Sequence, residues 1–75
     1  MARPKSTDIG VKFGRRLRAL REARELSLIQ MSVYSGLSKS FLHDLEQAKS
    51  EPGLRTLQIL ARCFDRSISQ LLRGL

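Results

Sequence analysis

Ser40, His43 and Asp44 carry the three side-chain types of a hydrolytic triad within one short stretch of this 75-residue chain. A triad is recognised by converging geometry, but these three residues lie within about two turns of one predicted helix. No oxyanion element or pocket-forming sequence accompanies them. His43 is also a poor metal ligand, because no second ligand stands at a suitable spacing. The sequence therefore predicts no enzyme, no metal site and no cofactor, and no small-molecule ligand is evident.

The same polar residues fit a surface that reads the edges of DNA bases. If Leu42 and Leu45 face inward, the opposite side of the helix carries a polar set: Lys39, Ser40, His43, Asp44 and Gln47. Lysine suits guanine acceptors, serine is permissive, and aspartate can accept from cytosine N4. An aspartate also repels phosphate, so Asp44 indicates a specific contact or a position held off the DNA backbone. The alternative is a solvated face that binds nothing.

Two short helices joined by one tight turn must position these side chains. Ser27 and Gln30 form a capping box, so a helix should begin at Leu28. It should end near Ser35-Gly36, because glycine takes a left-handed backbone without steric cost. Ser38 can then cap the next helix, residues 39–47. Two helices joined by a glycine turn make a helix-turn-helix, which predicts a DNA-binding unit.

The rest of the chain predicts three supporting helices and therefore an all-α, compact five-helix bundle. The first, from near Ile9 to Arg24, is capped by Thr7 or Asp8. Its apolar stripe has helical spacing and comprises Ile9, Phe13, Leu17 and Leu20. A fourth helix follows the AKSEPG loop, with an apolar stripe of Leu54, Leu57, Leu60/Ala61 and Phe64. Ser67 and Gln70 form a second capping box before a short fifth helix, and Cys63 is interpreted as a small core residue.

Charge and length restrict the function further. The net charge is +7, and residues 1–24 hold eight basic side chains against two acidic ones. This surplus favours a polyanionic partner, nucleic acid first and an anionic membrane surface second. We divide the chain into a basic arm, residues 1–7, and one domain, residues 8–75. The chain has no apolar run of about 20 residues, so we expect no membrane span. It has one cysteine and no signal-peptide pattern, so we expect a cytoplasmic, nucleoid-associated protein.

With these landmarks placed, residues 10 to 72 resemble the lambda-repressor/Cro type of helix-turn-helix domain, also called the XRE family. The matching residues are Gly10, Leu17, Leu20-Arg21, Leu26-Ser27, Met31, Gly36-Leu37-Ser38, Leu42, Leu45-Glu46, Lys49, Pro52, Thr56-Leu57, Ala61 and Ser67. The resemblance implies that the third helix enters the major groove and that a dimer binds a near-palindromic operator. It also pairs Arg21 with Glu46, and we expect a largely buried ion pair there.

Three positions depart from the family pattern. The family commonly has glutamine after the cap of its second helix, where this chain has Leu28. It has glycine at the positions of Glu25 and Ala48, so these two residues are expected to adopt a strained turn geometry.

These observations assign residues to three kinds of surface. We expect Lys39, Ser40, His43 and Asp44 to read bases. The candidate phosphate contacts are Arg3, Lys5, Lys12, Arg15, Arg16, Arg18, Gln47 and Lys49. The candidate dimer interface in the fifth helix is Ile68, Leu71, Leu72 and Leu75, although these residues could instead close the monomer core.

The leading hypothesis is a dimeric transcriptional regulator, a repressor, that binds double-stranded DNA in a sequence-specific way. An antitoxin-like module that binds a partner protein is the alternative, and a membrane-surface protein is a third class. Outward-facing Ile29 and Val33, with Tyr34, would form a small apolar patch on the second helix. Such a patch can mark a partner site, or it can be ordinary surface variation.

Overall fold

The computed structural model describes residues 8–75, which form five α-helices and no β-strand. The helices are α1 (Ile9–Ala23), α2 (Leu28–Ser35), α3 (Lys39–Glu46), α4 (Leu54–Cys63) and α5 (Ile68–Leu72). The predicted all-α, five-helix architecture is confirmed, with each predicted boundary within about one residue. Arg3 and Lys5, the candidate phosphate contacts of the arm, lie outside the described residues.

Local capping signals fix where the helices begin. Asp8 caps α1 by accepting a hydrogen bond from the Gly10 N–H at 2.8 Å. The predicted capping boxes are present at the start of α2 and of α5. Ser38 Oγ accepts from the Phe41 N–H at 3.1 Å at the start of α3. These side chains satisfy N–H groups that the first turn of a helix leaves without backbone partners.

Every helix contributes at least one fully buried side chain to a single core. The largest of these side chains are Leu17, Met31, Leu42, Leu45, Leu60 and Leu71. Cys63 is buried as predicted, and burial raises the pKa of its thiol, which stays protonated at neutral pH.

One residue of the predicted dimer interface, Leu71, is buried in the monomer instead. Its side chain is 0% exposed and packs inside the core of the single chain. A five-residue helix has few inward positions, and α5 uses Leu71 to anchor itself. Ile68, Leu72 and Leu75 are half-buried and keep part of their apolar surface accessible.

Two residues of the predicted apolar stripes, Ile9 and Leu54, are exposed to solvent. These members of the stripes of α1 and α4 are 62% and 80% exposed, respectively. Both are the first residues of their helices. A helical stripe continues geometrically to the end of the helix, whereas burial continues only as far as a neighbouring helix covers it.

Gly14 allows α1 to pack closely against the end of α3. A Cβ atom at this position would stand 2.5 Å from the Glu46 carbonyl oxygen and 2.7 Å from that of Leu45. These are backbone atoms that cannot rotate away. The absence of a Cβ at Gly14 therefore permits the short distance between α1 and α3.

The two expected strained turns are present. Glu25 has φ 56° and Ala48 has φ 60°, where the family has glycine. Asp65 adopts the same left-handed geometry with φ 55°, which the sequence analysis did not predict. Such a backbone is unfavourable for residues with a Cβ, so neighbouring contacts must hold it.

Candidate nucleic-acid interface

The turn between α2 and α3 is held by hydrogen bonds from two serines. Gly36 takes the left-handed conformation, with φ 79°, that the sequence predicts. Ser32 Oγ donates to the Leu37 carbonyl at 2.6 Å, and the Leu37 N–H donates to Ser35 Oγ at 3.1 Å. The serines thus satisfy both backbone groups of Leu37, which fixes how α3 leaves the turn.

One face of α3 is polar and open to solvent, whereas the opposite face is buried. Leu42 and Leu45 are each 1% exposed and lie in the core. Four polar side chains line one shallow surface cleft of about 350 Å³: Lys39, Ser40, His43 and Asp44. The structure therefore brings together the residues predicted to read bases, and it confirms the predicted helix phase. Contact with bases stays a prediction.

A buried ion pair holds α3 against α1. Arg21 Nε donates to Glu46 Oε2 at 2.7 Å, and Arg21 Nη2 donates to Glu46 Oε1 at 3.1 Å. The two side chains are only 12% and 3% exposed. Its hydrogen bonds to the Glu46 carboxylate raise the pKa of Arg21, so the guanidinium remains charged well above neutral pH. The predicted ion pair is confirmed.

Arg21 also connects the ion pair to the start of α2. Its Nη1 donates to the Leu26 carbonyl at 2.7 Å, just before the Ser27 cap. One guanidinium therefore connects α1, the turn that leads into α2, and α3. This planar, multidentate arrangement suits arginine, because lysine lacks the rigid fork of donors.

The predicted phosphate contacts on α1 differ in their surroundings. Arg15 is exposed and Lys12 is half-buried. Arg18 is exposed and pairs with Glu22 one turn later at 3.1 Å. Arg16 is half-buried, and its Nη1 donates to the Leu71 carbonyl at 2.9 Å.

Gln47 and Lys49 follow the polar face of α3 in the chain. Both are exposed, and Gln47 is the C-cap residue of α3. Phosphate contact by these residues, and by the exposed basic residues of α1, stays a prediction.

Several large apolar side chains are exposed among residues 8–75. Ile29, Val33 and Tyr34, here called the α2 patch, are all exposed as the helix phase predicted. They line an open cleft of about 480 Å³ together with Arg24, Leu26 and Gln30. The exposed Leu54, a member of the predicted apolar stripe of α4, lines a second cleft with Arg55, Gln58 and Ile68.

Among residues 8–75, no group of acidic, histidine or cysteine side chains is arranged to hold a metal ion. No helix in the same residues combines the length and the apolar character needed to cross a membrane.

Three comparisons agree on the family. A helix-turn-helix family model, HTH_3, matches residues 17–71. The chain is 38% identical over 64 residues to the HTH-type transcriptional regulator DdrOP3 of Deinococcus deserti, covering 85% of this chain and 50% of that protein. It is 33% identical over 58 residues to the immunity repressor protein of Bacillus phage phi105, covering 77% of this chain and 40% of the repressor. The chain thus spans half or less of the length of these two relatives.

A solved structure gives the same result at the level of the fold. The restriction-modification controller protein C.AhdI from Aeromonas hydrophila superposes with a TM-score of 0.77 at 35% identity. The match covers 83% of this chain and 94% of that protein. The arrangement of α2 and α3, the matching family model and these relatives lead to one conclusion: the chain belongs to the HTH_3 family of helix-turn-helix proteins, as its resemblance to the XRE type implied.

Proposed function

We propose that this protein is a cytoplasmic, non-enzymatic repressor that binds a near-palindromic DNA operator as a dimer. The observation that carries the proposal is the polar face of α3, presented to solvent while Leu42 and Leu45 bury the opposite face. A rigidly held polar helix in a helix-turn-helix is suited to the major groove, where its N-terminal residues contact base edges. The similarity to a phage immunity repressor and to a restriction-modification controller supports a regulatory role.

Affinity and sequence preference are separated along the chain. Lys39, Ser40 and Asp44 set the preference, because their donors and acceptors match base edges. The polar cleft that they line contains one lysine and one aspartate, so it contributes little net attraction to DNA. General attraction to phosphate comes instead from the basic surplus in residues 1–24, with exposed Arg15 as its clearest member in α1.

The dimer forms through α5 and the beginning of α4. Leu54 is largely exposed beside Ile68, and Leu72 and Leu75 keep accessible apolar surface. A two-fold axis near these residues would place two α3 helices about 34 Å apart, one turn of DNA. Leu71 has no part in this interface, because it is buried in the core.

Selection of bound sequences from random DNA, followed by affinity measurements across salt concentrations, tests the proposal. Asp44→Ala should relax preference at one base pair of each half-site while binding to random DNA stays equal or increases, because a charge that repels phosphate is removed. Arg15→Gln should weaken binding to all sequences and reduce the salt slope by about one unit. An unchanged selected operator for Asp44→Ala would contradict the placement of α3 in the groove.

The α2 patch supports a second candidate function, an antitoxin-like module that binds a partner protein. Exposed apolar side chains on one helix can form a partner site. A mobility-shift experiment across salt concentrations distinguishes the two functions. DNA binding must weaken steeply as salt rises, whereas apolar contacts with a protein weaken little. Absence of any salt-dependent shift on random DNA would favour the partner-binding function.

A further inference from the structure

Arg16 makes a contact that phosphate binding does not explain. Its Nη1 donates to the Leu71 carbonyl at 2.9 Å in a partly buried position. Its Nη2 also lies beside Gly74, 4.0 Å from where a Cβ atom on that residue would stand. The neighbouring Arg15 is exposed and makes no hydrogen bond or ion pair within residues 8–75. Two adjacent arginines of α1 thus have different surroundings, although both were predicted from the sequence to contact phosphate.

The bond matters because α5 has few other attachments. This helix has only five residues, and its contacts with other helices are mainly with α4. At its end, the Arg73 N–H donates to the Gln70 carbonyl and the Leu75 N–H donates to the Leu72 carbonyl. The Leu71 carbonyl accepts from Arg16 instead. An arginine that satisfies a carbonyl at a helix C-terminus is a recognised form of capping, here supplied by a different helix.

The same helix, α1, also holds α3. Gly14 brings α1 against the Leu45 and Glu46 carbonyls, and Arg21 pairs with the Glu46 carboxylate. Gly14, Arg16 and Arg21 therefore lie along one helix, which packs against α3 and also holds the end of α5. Any rotation of α5 relative to α1 changes the position of α3 relative to α5 by the same amount.

We propose that Arg16 is a positioning residue whose bond to Leu71 fixes the separation of the two α3 helices in the dimer. This inference rests on the dimer through α5 given under Proposed function. The Arg16 side chain holds the end of α5. It therefore sets the angle between α5 and the rest of the domain, and so the orientation of the second copy that binds through α5. It does not need to touch DNA to influence which spacing between half-sites is bound.

Arg16→Met tests this role, and Arg15→Met is the matched control. Methionine removes the charge and the donors but keeps an unbranched apolar stem, so packing of the half-buried stem is largely retained. For each variant, sequences are selected from random DNA and the spacing between half-sites is read. Affinity for one half-site and for the full operator is then measured across salt concentrations. Sedimentation of the wild type on its operator establishes the dimer.

For Arg16→Met we expect several half-site spacings where the wild type selects one. Affinity for the full operator should fall by up to about tenfold, because the orientation of α5 that the bond holds in the wild type must then be fixed on binding. Half-site affinity and its salt slope should stay within about twofold of the wild type. Arg15→Met should weaken both sites, reduce the salt slope and keep the single spacing. Arg16→Lys keeps the charge, but its nitrogen is one bond closer to the backbone, so it should retain the wild-type salt slope and still broaden the spacing.

Several results would overturn the proposal. A single wild-type spacing in whichever Arg16 variant folds would show that the bond does not position α5. Equal losses on half-site and full operator with a reduced salt slope would identify Arg16 as a phosphate contact. Equal losses with an unchanged slope and a lower melting temperature would give it a purely structural role. A wild type that stays monomeric on its operator would refute the proposed dimer and this inference together.

Discussion

Glu46→Ala should severely destabilise the domain, because it leaves a buried arginine without its partner. Glu46 is 3% exposed and Arg21 is 12% exposed. After the substitution, Arg21 keeps its bond to the Leu26 carbonyl but loses both bonds to carboxylate oxygens. The guanidinium would then remain charged in a site from which most water is excluded.

The size of the effect follows from the environment of the pair. Removing one member of a buried ion pair typically costs about 3–5 kcal/mol, mostly from the uncompensated charge. Because Arg21 keeps some exposure, we expect about 3 kcal/mol, the lower end of that range. A domain of this length has a free energy of unfolding of roughly 4–11 kcal/mol at about 0.05–0.15 kcal/mol per residue. The substitution should therefore remove a large part of the stability and lower the melting temperature by roughly 12–24 °C.

Urea unfolding followed by circular dichroism measures this directly, and the chain contains a matched control. Arg18 and Glu22 form an ion pair one turn apart on α1, with both side chains more than half exposed. Glu22→Ala should cost only about 0.3–0.5 kcal/mol, as measured for such surface pairs. The reasoning would be refuted if Glu46→Ala cost no more than Glu22→Ala, because solvent would then compensate the charge of Arg21.

Three further variants test the close packing, the strained turn and the open apolar surface. Gly14→Ala should cost at least about 1–3 kcal/mol in urea unfolding, because its Cβ would stand 2.5 Å from a backbone oxygen of α3. Ala48→Gly should raise the urea midpoint, with a gain of about 0.5–1 kcal/mol, because φ 60° is unfavourable for residues with a Cβ. Ile29→Lys combined with Val33→Lys should leave the melting temperature within a few degrees and preserve DNA binding, because both residues are exposed.

Matched control substitutions are available for the first two variants. Gly10→Ala, where the added Cβ meets only the flexible side chain of Asp8, should be far milder than Gly14→Ala. Ala19→Gly, at an exposed position within α1, should destabilise by about 1 kcal/mol, the opposite sign to Ala48→Gly. Loss of stability in Ala48→Gly would show that this turn carries no strain. Unfolding of the double lysine variant would place the α2 patch in the core and contradict the helix phase.

The elements that the sequence predicted correctly depend on local interactions. Ser27 with Gln30, and Ser67 with Gln70, define helix starts through contacts only three residues apart. Gly36 ends α2 for a reason contained in its own backbone preference. The polar face of α3 followed from assigning Leu42 and Leu45 to the inside, because helical periodicity then determines every other position.

What the sequence could not predict depends on where one helix ends against another. The Arg16 bond joins residues 55 positions apart, and no local pattern distinguishes Arg16 from Arg15. The exposure of Leu54 depends on whether another element covers the first turn of α4. The Arg21–Glu46 pair is equally remote in sequence, at 25 positions, and it was predicted only through the family resemblance. Resemblance supplied the long-range information that composition and periodicity lack.

The contacts of α3 explain how such a domain can vary its sequence preference without losing its fold. Everything that orients the helix lies on its inner face or at its end: the buried leucines, the backbone contact at Gly14 and the bond from Arg21 to Glu46. None of the four side chains lining the polar cleft makes a side-chain hydrogen bond or ion pair within the described residues. Their exchange should therefore cost little stability, since surface substitutions usually stay within about 0.5 kcal/mol. Substitutions at Lys39 or Ser40 are expected to alter the selected operator at an unchanged melting temperature. Substitutions at Glu46 should lower the melting temperature, and the protein that still folds should select the same operator as the wild type.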